Sequence, residues 1–549
     1  MFRKNNDHLQ NNLFNSLHGM DSRLAEKLQT SWAALFYEHV FCQIDENVFA
    51  PLYAGNHGRP NFPVNILMAV DLIKHLKEYT DEVLLDEYAF NYQISYALGL
   101  RTLGERYFSP RTLYEFRARC YNYSIENPEK ADLIFAQFEK ITEQFIQLAG
   151  LNKDEGRMDS TQIMSNIRLG GRLSLAYDVL VNGVKSLPEV LLTEPLKVFL
   201  KANYKTEYIY RLKNKDILSR IQMLLNHCGE LLQITAAYSE LQEKPEVQLV
   251  RRFLEEQAEF HAPDNQWTVK GNREISAQSL QSAYDSDATY RNKGGKKHVG
   301  YVLNLTETCA DENPIQLVTH YQIAPNTKSD VEMLNEALPV LSEELGVKDL
   351  YADGGYYSAD TMEKAQSRGI TLHYTDMTGR KATGGKISLS AFVIENKEKI
   401  LRCPAGHSPL RSDFNPKSGI LSAHFNLDRC QGCPHKENCR VKFQKRDTVL
   451  YVNQKALNTE ENRLKIINRV VRQEATSKRA AIEGTNSVLK RAHHADKLKV
   501  RGIVKCQMVM GSKLLAHNFR QIVRFFKGAI RKKAQQIRNL NQGIAVAVC

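Results

Sequence analysis

What this chain of 549 residues lacks narrows the field first. No uninterrupted apolar run approaches the roughly 20 residues a membrane helix needs. The opening Met1-Phe-Arg-Lys-Asn-Asn-Asp-His8 has no apolar core of a secretory signal, so a cytoplasmic protein without membrane contact is expected. Cysteine is sparse and unevenly placed: of ten, six are scattered and four crowd between Cys403 and Cys439, which argues for metal rather than a disulfide framework. Acid is scarce in the last fifth. From Val441 to Cys549 there are 24 Lys and Arg against 6 Asp and Glu, which leaves 50 against 56 for residues 1–440. Lys and Arg displace counterions from phosphates, so nucleic acid is the expected partner of that block. A basic tail kept for solubility is the alternative, but Leu514, Leu515, Phe519, Ile522, Phe525 and Phe526 interleave it with apolar side chains, which implies folded helix.

The length exceeds one ordinary core, and roughly two to four domains or large inserts are expected. Within residues 1–150 the pattern is helical. Ile66, Leu67, Val70, Ile73 and Leu76 fall at helical spacing, Thr80-Asp-Glu opens a second helix, and Ser109-Pro110 opens a third that carries Arg111, Arg117 and Arg119. Such helices form either a helix-turn-helix module or a plain packing domain. A further helix runs from Ala131 to Ala149, and residues 151–172 hold a strand, Gly156 to Ile167, with Asp159 inside it. Residues 173–265 are almost wholly helical and read as an insert. Residues 266–385 return to strands: a hairpin of Tyr301–Cys309 and Ile315–Ile323, a helix from Ser329 to Leu345, a strand ending at Asp353-Gly354-Gly355, a helix closed by Gly369, and a strand from Ile370 to Tyr374. That is an α/β order, and it puts Asp353 at the carboxyl edge of a sheet, where open α/β sheets bind ligands. A cysteine-bearing insert, 386–450, and a basic helical region, 451–549, complete the chain.

In the stretch Thr476 to Arg491, Arg479, Glu483 and Lys490 lie within about 40° of one another on a helix, so one face carries base, acid, base. A solvated face with i,i+4 pairing is one possibility, and a site for phosphate and metal is the other. Asp159, Asp353 and Glu483 together would supply the hard oxygen ligands that a pair of Mg²⁺ or Mn²⁺ ions needs for in-line phosphodiester displacement. Cys403-Pro-Ala-Gly-His407 and Cys430-Gln-Gly-Cys433-Pro-His435-Lys-Glu-Asn-Cys439 supply four thiolates suited to a closed structural Zn²⁺ site, with His407 or His435 able to replace one. Free thiols are the alternative.

Asp159 in a first strand, Asp353 in Ala-Asp-Gly-Gly-Tyr-Tyr, and Glu483 in Arg-x3-Glu-x6-Lys resemble the catalytic residues of bacterial insertion-sequence DDE transposases. The likeness runs from Gly58-Arg-Pro to about Phe526. It is most specific at Arg479, Glu483 and Lys490, and Thr476 stands where the related signature has tyrosine. The resemblance implies an RNase H-like mixed-sheet core with a helical insert, a small zinc-binding insert and an all-α N-terminal domain. It implies that Asp159, Asp353 and Glu483 hold the metals and that Arg479, Lys490 and Arg491 position DNA phosphates. The implied partners are terminal inverted repeats and target DNA, bound by a homodimer at the nucleoid; the implied chemistry is cleavage of element ends followed by strand transfer. A catalytically inactive DNA-binding derivative and a metal-dependent nuclease without strand transfer are the competing functions. Asp154, Glu155, Asp349, Asp360 and Glu474 are competing acids outside the matching motifs.

Overall fold

The computed structural model describes residues 1–10, 19–55, 57–130, 132–168, 170–209, 216–261, 266–375, 385–454, 456–458 and 469–547, of which 469–472 and 530–547 are described as backbone. The N-terminal helices form where their caps predict. Val64–Lys77 is followed by Asp81–Phe90, whose N-cap Thr80 accepts a hydrogen bond from the Val83 N–H. Pro110–Glu126 starts with proline at its first turn. Leu133–Ala149 is capped by the Asp132 carboxylate and closed by left-handed Gly150. Arg117 on the third of these helices is committed to Asp71 and Asp81, Arg111 pairs with Glu115, and Arg119 lies over the Tyr53 ring. Arg117 therefore serves packing among these helices.

The strands are β1 (Glu155–Ile163), a peripheral hairpin of β2 (Ala258–His261) and β3 (Gln266–Val269), then β4 (Thr289–Lys293), β5 (Lys296–Thr308), β6 (Val318–Pro325), β7 (Asp349–Ala352) and β8 (Thr371–Tyr374). Six of them make one curled mixed sheet in the order β4-β5-β1-β7-β8, with β6 also on β5. β1 is antiparallel to β5, with Asp159 opposite Leu305, and parallel to β7, with Arg157 beside Tyr351. The expected strand, hairpin, helix, strand, helix, strand order is present with shifted bounds, β6 covering Val318–Pro325 where Ile315–Ile323 was expected. β1 ends at Ile163, because Met164 leaves the β5 ladder to bridge Lys497. β5 begins at Lys296 rather than Tyr301 and is preceded by β4, a strand that sequence patterning missed. The helix after β6 covers Asp330–Pro339 and continues as a π-helical turn, Val340–Glu344.

Between β1 and β4 the helices Arg172–Ser186, Ile217–Thr235 and Pro245–Gln257 pack round their own core of Tyr177, Leu224, Leu225 and Phe253. The cysteine-bearing region adds short strands, β9 (Val393–Glu395), β10 (Lys399–Arg402), β11 (Arg411–Asn415), β12 (Ile420–Asn426), β13 (Lys442–Phe443) and β14 (Asp447–Asn453), over a small apolar cluster of its own.

The N-terminal helices have no separate core. Phe36, Phe138 and Phe145 share one buried cluster with Leu303, Leu305 and Tyr321 of the sheet, and with Ile482, Leu514, Phe519 and Ile522 of the last two helices. Those helices are Arg469–Ala492 and Ile503–Ala547. The longer one is stitched to the outer strand β6: Asn518 accepts from the Val318 N–H at 3.0 Å and donates to its carbonyl at 2.7 Å, and also donates to Thr142 at 3.1 Å. An otherwise open sheet edge is covered in this way. Among the described residues no helix is long and apolar enough to cross a membrane.

Candidate active site

Asp159 points from the middle of β1, Asp353 follows the last residue of β7, and Glu483 sits midway along the helix Arg469–Ala492. One guanidinium gathers them. Arg479 Nη1 lies 2.9 Å from Glu483 Oε1, and its Nη2 lies 3.2 Å from Asp159 Oδ1 and 4.0 Å from Asp353 Oδ2. Asn486, one turn beyond Glu483, donates to Asp159 Oδ2 at 3.1 Å. Arg479, Glu483, Asn486 and Lys490 recur at i, i+4, i+7 and i+11, so the face expected from helix geometry is the face turned to β1.

That helix is docked by a buried polar staple. Arg157, two residues before Asp159 and directly opposite Glu307 on β5, pairs with the Glu307 carboxylate at 2.8 Å. Thr485 donates to the other oxygen of Glu307 at 2.8 Å, and Arg157 donates to the Lys478 carbonyl at 3.2 Å. Lys478 pairs with Glu155 and stands over the Tyr351 ring. Burial pushes the Glu307 carboxyl upward, and Arg157 and Thr485 oppose that push.

Asp353 accepts the Gly355 N–H at 2.6 Å. A Cβ at Gly355 would lie 2.8 Å from Asp353 Oδ1 and 3.2 Å from Asp330 Oδ2, so any larger residue there would have to displace these carboxylates. Asp330, the first residue of the helix after β6, is thus a fourth carboxylate beside the site, held by the Ser160 hydroxyl at 2.8 Å. The Tyr356 phenol is pushed far above its usual range by burial and then by Asp330, Asp159 and Asp353. Sequence reasoning also missed Arg157, Glu307, Thr485 and Asn486; the alternation that puts Arg157 on the same strand face as Asp159 was the available signal.

Beside the acids is an open cleft of about 350 Å³ lined by Asp159, Thr161, Glu483, Asn486, Ser487, Lys490 and Arg491. Glu483 is 61 % exposed there, whereas Asp159 is buried. Burial lowers the Lys490 ammonium from its usual value, and Asp496 and Asp159 draw it back up. Among the competing acids, Asp154 pairs with Lys348, Glu155 with Lys478, Asp349 with His373 and Asp360 with Lys364, all other than the cleft-lining residues. Arg479, expected on DNA phosphate, is here occupied by the three carboxylates.

The four cysteines Cys403, Cys430, Cys433 and Cys439 are free thiols that line one cavity of about 20 Å³, together with His407 and His435. The Cys430 thiol is raised by burial, with Cys439, Cys403 and Cys433 pushing the same way. Among the described residues, however, no group of three or more His, Cys, Asp or Glu side chains is arranged to hold a metal ion, and this covers both the acids and the thiols.

Two family models match the chain: one described as Transposase domain (DUF772) over residues 26–119, the other as Transposase DDE domain over residues 402–523. The chain resembles an insertion-sequence DDE transposase. The second match spans Arg479, Glu483, Lys490 and all four clustered cysteines; Asp159 and Asp353 lie outside both matches. No curated protein and no solved structure matches. The transposase resemblance indicates transposition as the class of function.

Burial pushes the Asp159 carboxyl above its ordinary range; Arg479 opposes this and Asp353 adds to it. The folded chain therefore binds that proton more tightly than the unfolded chain, so stability falls as pH rises from the ordinary carboxylate range through the raised value. Asp159→Asn removes the buried charge. It should melt higher than wild type at neutral pH, with the difference shrinking on acidification; a lower melting temperature at neutral pH would contradict the burial argument.

Proposed function

We propose that the chain is a metal-dependent DNA transposase that cleaves the ends of its element and joins them to target DNA. The observation that carries this reading is the convergence of Asp159, Asp353 and Glu483 on one guanidinium, from a strand, a strand end and a helix far apart in sequence. The sheet supports it. Three antiparallel strands, β6-β5-β1, followed by parallel β7 and β8, with acids on the first strand and after β7, resemble an RNase H-like core.

Asp159, Asp353 and Glu483 are hard oxygen donors, the type that suits Mg²⁺ or Mn²⁺, and they would hold it in place of the Arg479 guanidinium that now lies among them. A bound pair of such ions supplies activation of the attacking oxygen and stabilisation of the leaving one. The chain's own residues do the rest. Asn486 fixes the Asp159 carboxylate, the Arg157–Glu307–Thr485 staple holds the Glu483 helix at its distance from β1, and Lys490 and Arg491 meet DNA phosphates at the cleft mouth. Arg479 joins them on phosphate when substrate enters. Joining two ends to a target requires two such sites, so the working form is a homodimer on terminal inverted repeats and target DNA, at the nucleoid.

Residues 1–150 would serve DNA-end binding, 386–450 form a zinc-bearing insert, and 451–549 carry the last acid. The four thiols that line this cavity are the donor type Zn²⁺ takes, and Cys403, Cys430, Cys433 and Cys439 would hold it once drawn closer together. Bound zinc supplies a cross-link to a region whose apolar cluster is small.

Incubation of a duplex ending in the element's inverted repeat with Mg²⁺ should give end cleavage, reduced at least about 100-fold in Glu483→Gln. Equal cleavage by both proteins would sink the assignment, and cleavage without joining to a second duplex would reduce the activity to that of a nuclease. For the insert, purified protein should contain one zinc per chain, lost in Cys433→Ser together with protease resistance of residues 386–450; a metal-free wild type with the same resistance would refute the zinc site.

A further inference from the structure

β4 and the first half of β5 run past the end of the sheet. The last β1–β5 pair is Ile163 with Tyr301, so residues 289–300 leave the β1 ladder as a two-stranded hairpin. Gly300, at φ 135°, marks the exit: a Cβ there would lie 2.5 Å from the Ile163 carbonyl oxygen, so no side chain fits. The tip is a two-residue turn of Gly294 and Gly295, both at positive φ, as tight hairpins require. The base is braced by Arg291, which donates to the carbonyls of Asn326 at 3.3 Å and Lys328 at 3.4 Å.

The charge on this hairpin is one-sided. From Thr289 to Gly300 it carries Arg291, Lys293, Lys296, Lys297 and His298, and no acid. Lys293, Lys296 and Lys297 are exposed, and none of them enters an ion pair among the described residues. Lys293 and Lys296 face each other directly across the ladder, an arrangement that costs stability in the free protein. His298 is held below its usual value by burial, then by Lys490, Lys293, Lys296 and Arg291. Lys490 lines the acid cleft, and Lys293 also depresses it, so the cations of the cleft and the hairpin form one continuous field. From Leu305, the partner of Asp159, to Lys296 is nine residues, at most roughly 30 Å of strand and about nine base-pair steps of duplex.

We propose that the Thr289–Gly300 hairpin is a DNA arm, with Lys293, Lys296 and Lys297 gripping phosphates of a duplex whose end lies in the cleft at Asp159 and Glu483. The inference rests on the transposase reading and extends it to residues outside both family matches. The like-charge strain in the free hairpin is relieved by the polyanion, and a rigid arm places those phosphates at a fixed reach from the acids.

The test uses the full chain and a short DNA duplex of arbitrary sequence, without divalent metal so that no cutting intervenes, and titrates affinity against salt. Replacing all three lysines by glutamine should lower the slope of log affinity against log salt by about 0.9 per lysine, near 2.7 in total, and weaken binding at least about tenfold at moderate salt. Replacing them by arginine should restore both values. If the triple variant unfolds early in a thermal scan, Lys297→Gln alone should still lower the slope by about 0.9. Unchanged slope and affinity in folded variants would overturn the arm, as would binding of an acidic peptide in place of DNA. End cutting in Mg²⁺ separates the two claims: if Glu483→Gln cuts inverted-repeat ends as wild type does, the transposase reading fails whatever the lysines do.

Discussion

A buried ion pair between neighbouring strands, Arg157 with Glu307, decides where Glu483 can be. The two residues are opposite each other in the β1–β5 ladder, and their remaining donors and acceptors reach the Glu483 helix through Thr485 and the Lys478 carbonyl. More than 300 residues separate β1 from that helix, and local propensity cannot bring them together. A buried pair of this kind contributes little net stability against an apolar substitute, but it fixes register, because leaving either partner unpaired in the interior costs several kcal/mol. Sliding the helix by one turn would break Thr485 from Glu307 and carry Glu483 away from Arg479. The polar staple therefore supplies position, and the large apolar cluster of Leu489, Leu514 and Phe519 supplies the stability.

The site that results carries strain of its own making. Asp159 is buried beside Asp353, Asp330 and Asp353 both approach Gly355, and this concentration of carboxyl groups is held with Arg479 as its main counter-charge. Such a grouping is costly in a folded chain and is the arrangement a divalent cation would stabilise. The site opens from buried Asp159 past exposed Glu483 to Lys490 and Arg491. Negative charge at the floor and positive charge along the rim suit a substrate that brings phosphates to a metal.

Much of this was legible in the sequence where the signal is periodic or local. The face shared by Arg479, Glu483 and Lys490 follows from 100° per residue, and the caps at Thr80 and Ser109-Pro110 mark helix starts to within a residue. The α/β order from β5 to β8 followed from strand alternation and glycine turns. What was not legible depends on pairings that no local pattern encodes. Arg157 and Glu307 are ordinary charged residues until the β1–β5 register puts them opposite each other. Asp330 looks like any acid at a helix start until the Gly355 turn brings Asp353 beside it. β4 was missed because Arg-Asn-Lys and Lys-Lys-His have poor strand propensity, although the Gly-Gly pair between them is a hairpin turn signal. The N-terminal helices read as a separate unit because their amphipathic pattern does not say what they pack against; Asn518 and Phe519, about 400 residues later, supply the answer.

The central claim is that three acids from distant parts of the chain form one metal site, and metal-directed cleavage of the polypeptide tests it most directly. Fe²⁺ in place of Mg²⁺, with ascorbate and peroxide, generates radicals that cut the backbone near the bound ion. A shared site predicts cuts close to Asp159, Asp353 and Glu483 together, suppressed by excess Mg²⁺ and lost at all three positions in Glu483→Gln. Cuts confined to one of the three positions, or cuts at all three that persist in Glu483→Gln, would contradict it.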